Sequence, residues 1–178
     1  MEGNAILIVI LSGIAVTIIA IVTYYIVRFM RGSIKLSLPS TTFNPGDTIK
    51  GSFDLMTKKP IQGNKLTVSL IGVQVTKTRE DGETRTRSHE IYRHETLVEQ
   101  ARAYPAGHTA RHDFEINAPD TSAPEFLNSS LGKTLTAALR ILSNRQTHLK
   151  WKVEVRLDAQ GADLASSTWI SINMAQIV

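Results

Sequence analysis

The chain of 178 residues contains no cysteine. That excludes a disulfide framework, a thiolate nucleophile, a Cys-ligated zinc ion and an iron–sulfur cluster. Neither sign of charge dominates. Twenty Lys and Arg against 16 Asp and Glu leave a net +4, too little to argue for nucleic acid as a partner. A phosphate-cradling Gly-x-x-x-x-Gly-Lys-Ser/Thr loop and a Gly-x-Gly-x-x-Gly fingerprint are both missing, so nucleotide binding has no support. A Gly-x-Ser-x-Gly nucleophile elbow is missing too. There are no internal repeats and no low-complexity tracts. Leu, Ile, Val and Phe are plentiful enough to exclude a wholly disordered chain. Only one long hydrophobic run occurs, which excludes a multi-span channel or transporter.

That run is residues 5–27, 23 residues without a charge. As a helix it would be about 34 Å long, against a hydrocarbon core of roughly 30 Å. Tyr24 and Tyr25 fall at its C-terminal edge, where aromatic rings sit at headgroup level. Arg28, Arg31 and Lys35 follow, whereas the four residues before the run carry only Glu2. A cleaved signal peptide needs a basic start, a shorter apolar core and a small-x-small cleavage site, all missing here. A surface helix needs a polar face, and this run is apolar all round. The sequence therefore predicts a single transmembrane helix. Positive charge after the span predicts a single-pass protein with its N-terminus outside and its polar domain in the cytoplasm. Ser12, Gly13, Thr17 and Ala20 form a small-residue face suited to packing against another helix.

From residue 33 onward the hydrophobic period is two. Ile34, Leu36 and Leu38 alternate with Lys35 and Ser37. The same alternation marks residues 49–55, 66–75, 113–116, 150–157 and 169–172, with a weaker version over 84–98. Each run reads as a strand with one buried and one wet face. Turn signals separate them: Asn44-Pro45-Gly46-Asp47, Lys59-Pro60, Asp81-Gly82, Pro105-Ala106-Gly107, Ala118-Pro119-Asp120 and Gln160-Gly161. Seven or eight short strands in such an order predict an antiparallel β-sandwich over residues 33–178, with residues 1–32 as anchor and basic juxtamembrane segment. One stretch, 131–142, places Leu135, Ala138, Leu139 and Leu142 at helical spacing. It predicts one short helix capped by Asn128, Ser129 or Ser130. Trp151 and Trp169 fall in phase with buried positions and are expected in the core. Only residues 29–32 link anchor to sandwich, so the domain is expected close to the headgroups.

Several stretches together resemble arrestin-like domains. These are Phe43-Asn-Pro-Gly-Asp-Thr-Ile-Lys-Gly51, Leu66-Thr-Val-Ser-Leu-Ile-Gly72, Asp113-Phe-Glu-Ile-Asn-Ala-Pro119, Trp151-Lys-Val-Glu-Val-Arg-Leu-Asp158, Gly161-Ala-Asp-Leu164 and Ile170-Ser-Ile172. The resemblance spans nearly the whole polar part. It implies an all-β, immunoglobulin-like sandwich used for protein binding, without a catalytic site. Two departures stand out: one sandwich in place of the usual tandem pair, and an anchor that soluble arrestins lack. Phosphopeptide recognition in the family needs the second domain and a C-terminal tail, so it is not carried onto any residue here.

Candidate chemistry is sparse. His108 and His112 are four apart, which in a strand separates them by about 13 Å, too far to share a metal ion. His89 and His94 would face opposite sides. Glu80-Asp81 and the Glu90/Glu95 pair fall in polar hairpin regions as solvated acids. Asn128-Ser129-Ser130 matches a glycosylation acceptor, irrelevant on the cytoplasmic side. Neither a metal nor a cofactor is expected, nor a small-molecule substrate, nor enzyme activity. Lys77, Arg79, Arg85 and Arg87 cluster around the Asp81-Gly82 tip, interleaved with Glu80, Asp81, Glu83 and Glu90, which reads either as a solvated hairpin or as a docking finger for an acidic partner or headgroups. Two readings remain. One is a membrane-anchored adaptor that binds a partner by its hairpin, its loops or a strand edge. The other is a small accessory subunit of a larger integral membrane complex, held through the small-residue helix face.

Overall fold

The computed structural model describes residues 13–14, 16–19, 21–23, 30–80, 83–120, 128–130, 132–134, 137 and 147–173, without the side chains of 78–80 and 147. Its strands are β1 (Gly32–Ser37), β2 (Thr42–Phe43), β3 (Thr48–Thr57), β4 (Ile61–Glu80), β5 (Glu83–Glu99), β6 (Arg102–Tyr104), β7 (Thr109–Asn117), β8 (Thr147–Ala159) and β9 (Leu164–Ile172). They form two sheets, β1-β3-β7 and β2-β9-β8-β4-β5, with β6 paired to the start of β4. The all-β sandwich expected from the period-two pattern is therefore present.

Two features differ from that expectation. The strands are not uniformly short: β4 runs 20 residues and β5 runs 17. Nor is every pair antiparallel, because β2 lies parallel to β9 through Thr42↔Ser171 and Phe43↔Ile172. A short segment after β1 thus closes the edge of the larger sheet, and no alternation in two residues could have announced it.

The core lies between the sheets. Ile34, Ile49, Phe53, Leu55, Phe114 and Ile116 from the smaller sheet meet Leu66, Val68, Leu70, Val153, Val155 and Leu157 from the larger. Each of these is at most 9% exposed, as two inward-facing rows of a sandwich require. Gly51 and Gly72 mark close approach. A Cβ on Gly51 would come within 2.7 Å of both Leu38 and Phe114, and one on Gly72 within 3.0 Å of the Trp151 ring. Gly72 also borders a bulge, where β5 shifts register between Gly72 and Val73.

The two tryptophans part company. Trp151 is 2% exposed and meets Tyr92 edge-on at 5.3 Å, but Trp169 is 56% exposed. In β9 the inward residues are Leu164, Ile170 and Ile172, so Trp169 faces out, in register with Lys152. Its expected place in the core is thus corrected.

The outer face of β4 is not wet either. Thr67, Ser69 and Ile71 are at most 2% exposed. They are flanked by Leu97, Glu95 and Arg93 of β5 on one side and by Arg156, Glu154 and Lys152 of β8 on the other. Arg93 reaches across β4 to Glu154 at 3.9 Å, while Lys152 and Arg156 meet the same carboxylate at 3.0 and 3.3 Å. Long charged side chains from both neighbours roof the central strand, which alternation of β4 alone does not reveal.

Residues 130, 132–134 and 137 are helical, within the stretch where a short helix is expected. Ser129 is its cap: its Oγ accepts from Gly132 N at 2.9 Å. Leu135, Ala138, Leu139 and Leu142 lie outside the described residues. So do Ser12, Ala20, Tyr24, Tyr25 and Arg28 of the apolar run and its flank. Within the run, residues 13–14, 16–19 and 21–23 are helical. Among the described residues no helix is long and apolar enough to cross a membrane.

Candidate functional site

Two ends of the sandwich carry the candidate residues. At one end the chain enters β1 directly from a helical Met30 and Arg31. Gly32 is required at that junction, because a Cβ there would collide with the Met56 carbonyl oxygen. The Arg31 carbonyl accepts from Lys58 N at 2.7 Å and Lys59 N at 3.3 Å, tying the β3–β4 turn to the helix end. Thr57, fully buried, exchanges backbone bonds with His108 and Gly107, and its hydroxyl donates to the Pro105 carbonyl at 2.6 Å. The β6–β7 turn is thereby stapled to the β3–β4 turn. The Arg31 guanidinium packs on the β8–β9 turn, where a Cβ on Gly161 would lie 2.5 Å from Nη1.

The opposite end is the tip of the β4–β5 hairpin. Among the described residues β8 accompanies β4 as far as Thr76↔Thr147. Pairing with β5 continues through Lys77↔Thr86, Thr78↔Arg85, Arg79↔Thr84 and Glu80↔Glu83. These four pairs run about 13 Å past the described end of β8, at roughly 3.4 Å per residue. The register leaves two residues for the turn; Asp81 and Gly82 themselves lie outside the described residues. All of residues 83–90 are exposed, and Lys77 is exposed on the partner strand. Strict alternation with Thr84, Thr86 and Ser88 sets Arg85 and Arg87 on one face of the ribbon. Lys77, in register with Thr86, takes the other face. Sequence spacing suggested one basic patch of four; the register divides it between two faces, and the Arg79 side chain lies outside the described residues.

The two ends are far apart. β4 begins beside the Arg31 junction and finishes at the hairpin, so about 60 Å of strand separates them. Of the residues expected at the membrane interface, Arg31 is part-buried at the junction and Lys35 is exposed on β1, in register with Asp54. Gly13 and Thr17 sit exposed on the helix, and the Thr17 hydroxyl donates back to the Gly13 carbonyl at 2.9 Å.

A group of ionisable side chains near the junction was not anticipated from the sequence. Tyr104, 1% exposed, donates from its hydroxyl to Glu99 Oε2 at 2.6 Å, and Arg102 Nη1 meets Glu99 Oε1 at 3.1 Å. Burial first, and the Glu99 bond second, push the Tyr104 hydroxyl well above the usual phenol range. His112 stacks on Phe53 at 5.1 Å with its Nε2 3.8 Å from Glu99, and His108 lies 5.5 Å from the Tyr104 ring. Among the described residues no three His, Asp or Glu side chains are arranged to hold a metal ion. On the outer face, the Arg93 fork bonds both Glu90 oxygens at 2.8 Å and lowers that carboxyl from its ordinary value.

No family model and no curated protein matches the sequence. Among solved structures the chain is similar to Spo0M, a sporulation control protein from Bacillus subtilis. The TM-score is 0.53 and the identity 15%, over 82% of this chain and 50% of that one. The chain thus spans half the length of that protein. At this identity the likeness is one of fold, and the fold it supports is the arrestin-like β-sandwich.

Proposed function

We propose that this protein is a membrane-anchored interaction module. Residues 5–27 cross the bilayer once with the N-terminus outside, and a single arrestin-like sandwich on the cytoplasmic side binds a protein partner through the β4–β5 hairpin. Turnover is no part of this reading. It rests above all on the hairpin: a ribbon whose β5 strand is exposed on both faces over residues 83–90, at the end away from the helix junction. A two-stranded ribbon exposed on both faces adds little stability of its own, whereas a docking finger needs that exposure.

The apolar helix supports the anchor. Ile14, Val16, Ile18, Ile19, Ile21 and Val22 are each about half exposed or more, from 49% to 67%. At 100° per residue they point in directions that no single groove could cover, whereas lipid surrounds a helix on every side. The internal Thr17 hydroxyl bond leaves no polar group of that side chain needing water.

A photo-crosslinking residue at Arg87, with another at Lys50 on the smaller sheet, tests the hairpin in native membranes. A discrete protein adduct at position 87 and none at position 50, the first lost on reversing Lys77 and Arg85 to Glu, is expected. Equal adducts at both positions refute hairpin docking.

A second reading, the accessory subunit, is favoured by one observation. Nothing lies within 4 Å of a Cβ built on Gly13, and the Thr17 hydroxyl is folded onto the same turn, leaving a smooth strip open to a neighbouring helix. Stoichiometric co-purification with one membrane protein in mild detergent, lost in Gly13→Leu, supports the subunit over the adaptor.

A further inference from the structure

We infer that the junction end of the sandwich is a seat for anionic lipid headgroups, built from Arg31 and the β3–β4 turn residues Lys58 and Lys59. The inference deepens the membrane-anchored reading and rests on it. Four residues, 28–31, separate the apolar run from β1. As helix they span about 6 Å, and fully extended no more than about 14 Å. The turn is not free to swing away, since both its lysine amides donate to the Arg31 carbonyl. Lys58 and Lys59 are exposed at the tip of this turn. Their ammonium groups therefore stand within about one Debye length of a bilayer surface at physiological salt, where attraction to acidic lipid is little screened.

Charge complementarity selects an anionic surface as the occupant. The turns gathered at this end read Lys58-Lys59-Pro60, Gln100-Ala101, Pro105-Ala106-Gly107-His108 and Gln160-Gly161-Ala162-Asp163, with Asp163 the one acid among them. Asp163 is paired with Arg156 at 3.2 Å, and Glu99, set behind the turns, with Arg102, while Asp158 accepts from Asn64 at 3.3 Å. A negative bilayer thus meets cations first. Because the three turns and Arg31 are cross-bonded, the cations arrive as a preordered set. Seating them also stands the long axis of β4 away from the surface and holds the hairpin roughly 60 Å out.

The test uses the full chain in lipid nanodiscs, neutral (phosphatidylcholine) or with 30% phosphatidylserine, and reads lysine modification by a neutral amine reagent. Each cation near an acidic surface contributes roughly a fivefold preference for it. Labelling of Lys58 and Lys59 is expected to slow about fivefold in the anionic discs and to recover at 0.5 M salt, while Lys77 and Lys150 change less than twofold. Chain that resists alkaline extraction yet shows equal Lys58 and Lys59 labelling in both discs overturns the seat and leaves the anchor standing. Equal slowing of Lys77 overturns it as well, because the surface then attracts the domain without orienting it. Chain released by alkaline wash refutes the anchor, and the seat with it.

Discussion

Replacing Glu154 by Gln should remove the keystone of the roof over β4. The Glu154 side chain is 9% exposed and faces three cations: Lys152 at 3.0 Å, Arg156 at 3.3 Å and Arg93 at 3.9 Å. Its Oε1 approaches both guanidinium groups without an aligned hydrogen bond, so that contact is largely Coulombic. At an effective dielectric near 20, a pair about 4 Å apart gains about 4 kcal/mol before desolvation is subtracted. Breaking a buried pair costs about 3–5 kcal/mol. Arg93 and Arg156 are 38% and 46% exposed and keep part of their hydration, so the figure must be discounted. About 2 kcal/mol remains, through loss of the attraction and through mutual repulsion of the three cations. Urea unfolding in mild detergent, in a Trp169→Phe background, reads this cleanly, since buried Trp151 then carries the whole emission change. With a slope near 2 kcal/mol/M, the midpoint should fall by about 1 M with an unchanged slope. Added salt should restore part of the loss in the variant and change the parent little. A midpoint shift under about 0.25 M, the size of an ordinary surface substitution, would mean that the ion pairs do not hold the roof.

Other substitutions probe separate links. Tyr104 carries its proton far above the unfolded phenol value of 10.0, so its stabilisation is complete below pH 10 and drains away as pH rises through the folded value. Stability should drop by up to about 1.4 kcal/mol per pH unit above 10, and Tyr104→Phe should flatten that slope, read by thermal unfolding from pH 9 to 11. Thr57→Val keeps the shape but strands the Pro105 carbonyl, costing about 1–3 kcal/mol, whereas Thr57→Ser should cost less; denaturant midpoints of the two decide. Gly32→Ala must displace the Met56 carbonyl and should lower the melting temperature by several degrees, while Gly107→Ala, at an open turn with φ +75°, should lower it less.

The parts legible in the sequence were those governed by one strand at a time. Alternation found the inward rows of β3 and β8, and the Pro45-Gly46 turn closes as its residues demand. There Gly46 has φ +82° and the Asp47 carboxylate accepts from Asn44 N at 2.6 Å. What stayed hidden depends on neighbours. The burial of Ser69 and Ile71 follows from Arg93 and Glu154 meeting above them, a contact between β5 and β8 that no window on β4 contains. Trp169 misled because a two-residue period has two phases, and a short run ending in Ile170 and Ile172 fixes the phase only when read from those residues. The hairpin basics were found as a cluster in sequence, but splitting them between faces needed the pairing of Lys77 with Thr86. Lys59 entered only as half of the Lys59-Pro60 turn signal, and Lys58 not at all. Once β1 is paired with β3 through Gly32↔Thr57, their place beside Arg31 follows from register alone.

The length of β4 joins these local features into one arrangement. It starts among the turns that hold Arg31 and ends in the exposed hairpin, so a single continuous element connects the two candidate contact surfaces. An isolated two-stranded ribbon is too weak to keep a direction in water. This one is anchored by 13 paired positions against β8 and by the roof that Glu154 organises, and its last four pairs lie past the described end of β8. On the proposed anchored reading, rigidity of the shaft would convert an end fixed at a bilayer into a tip held at a defined height. The Glu154→Gln substitution therefore bears on function as well as stability: a loosened shaft should weaken hairpin crosslinking at Arg87 while leaving the hairpin's own charges untouched. Retention of full crosslinking in a destabilised but folded variant would show that the ribbon docks independently of the sheet behind it.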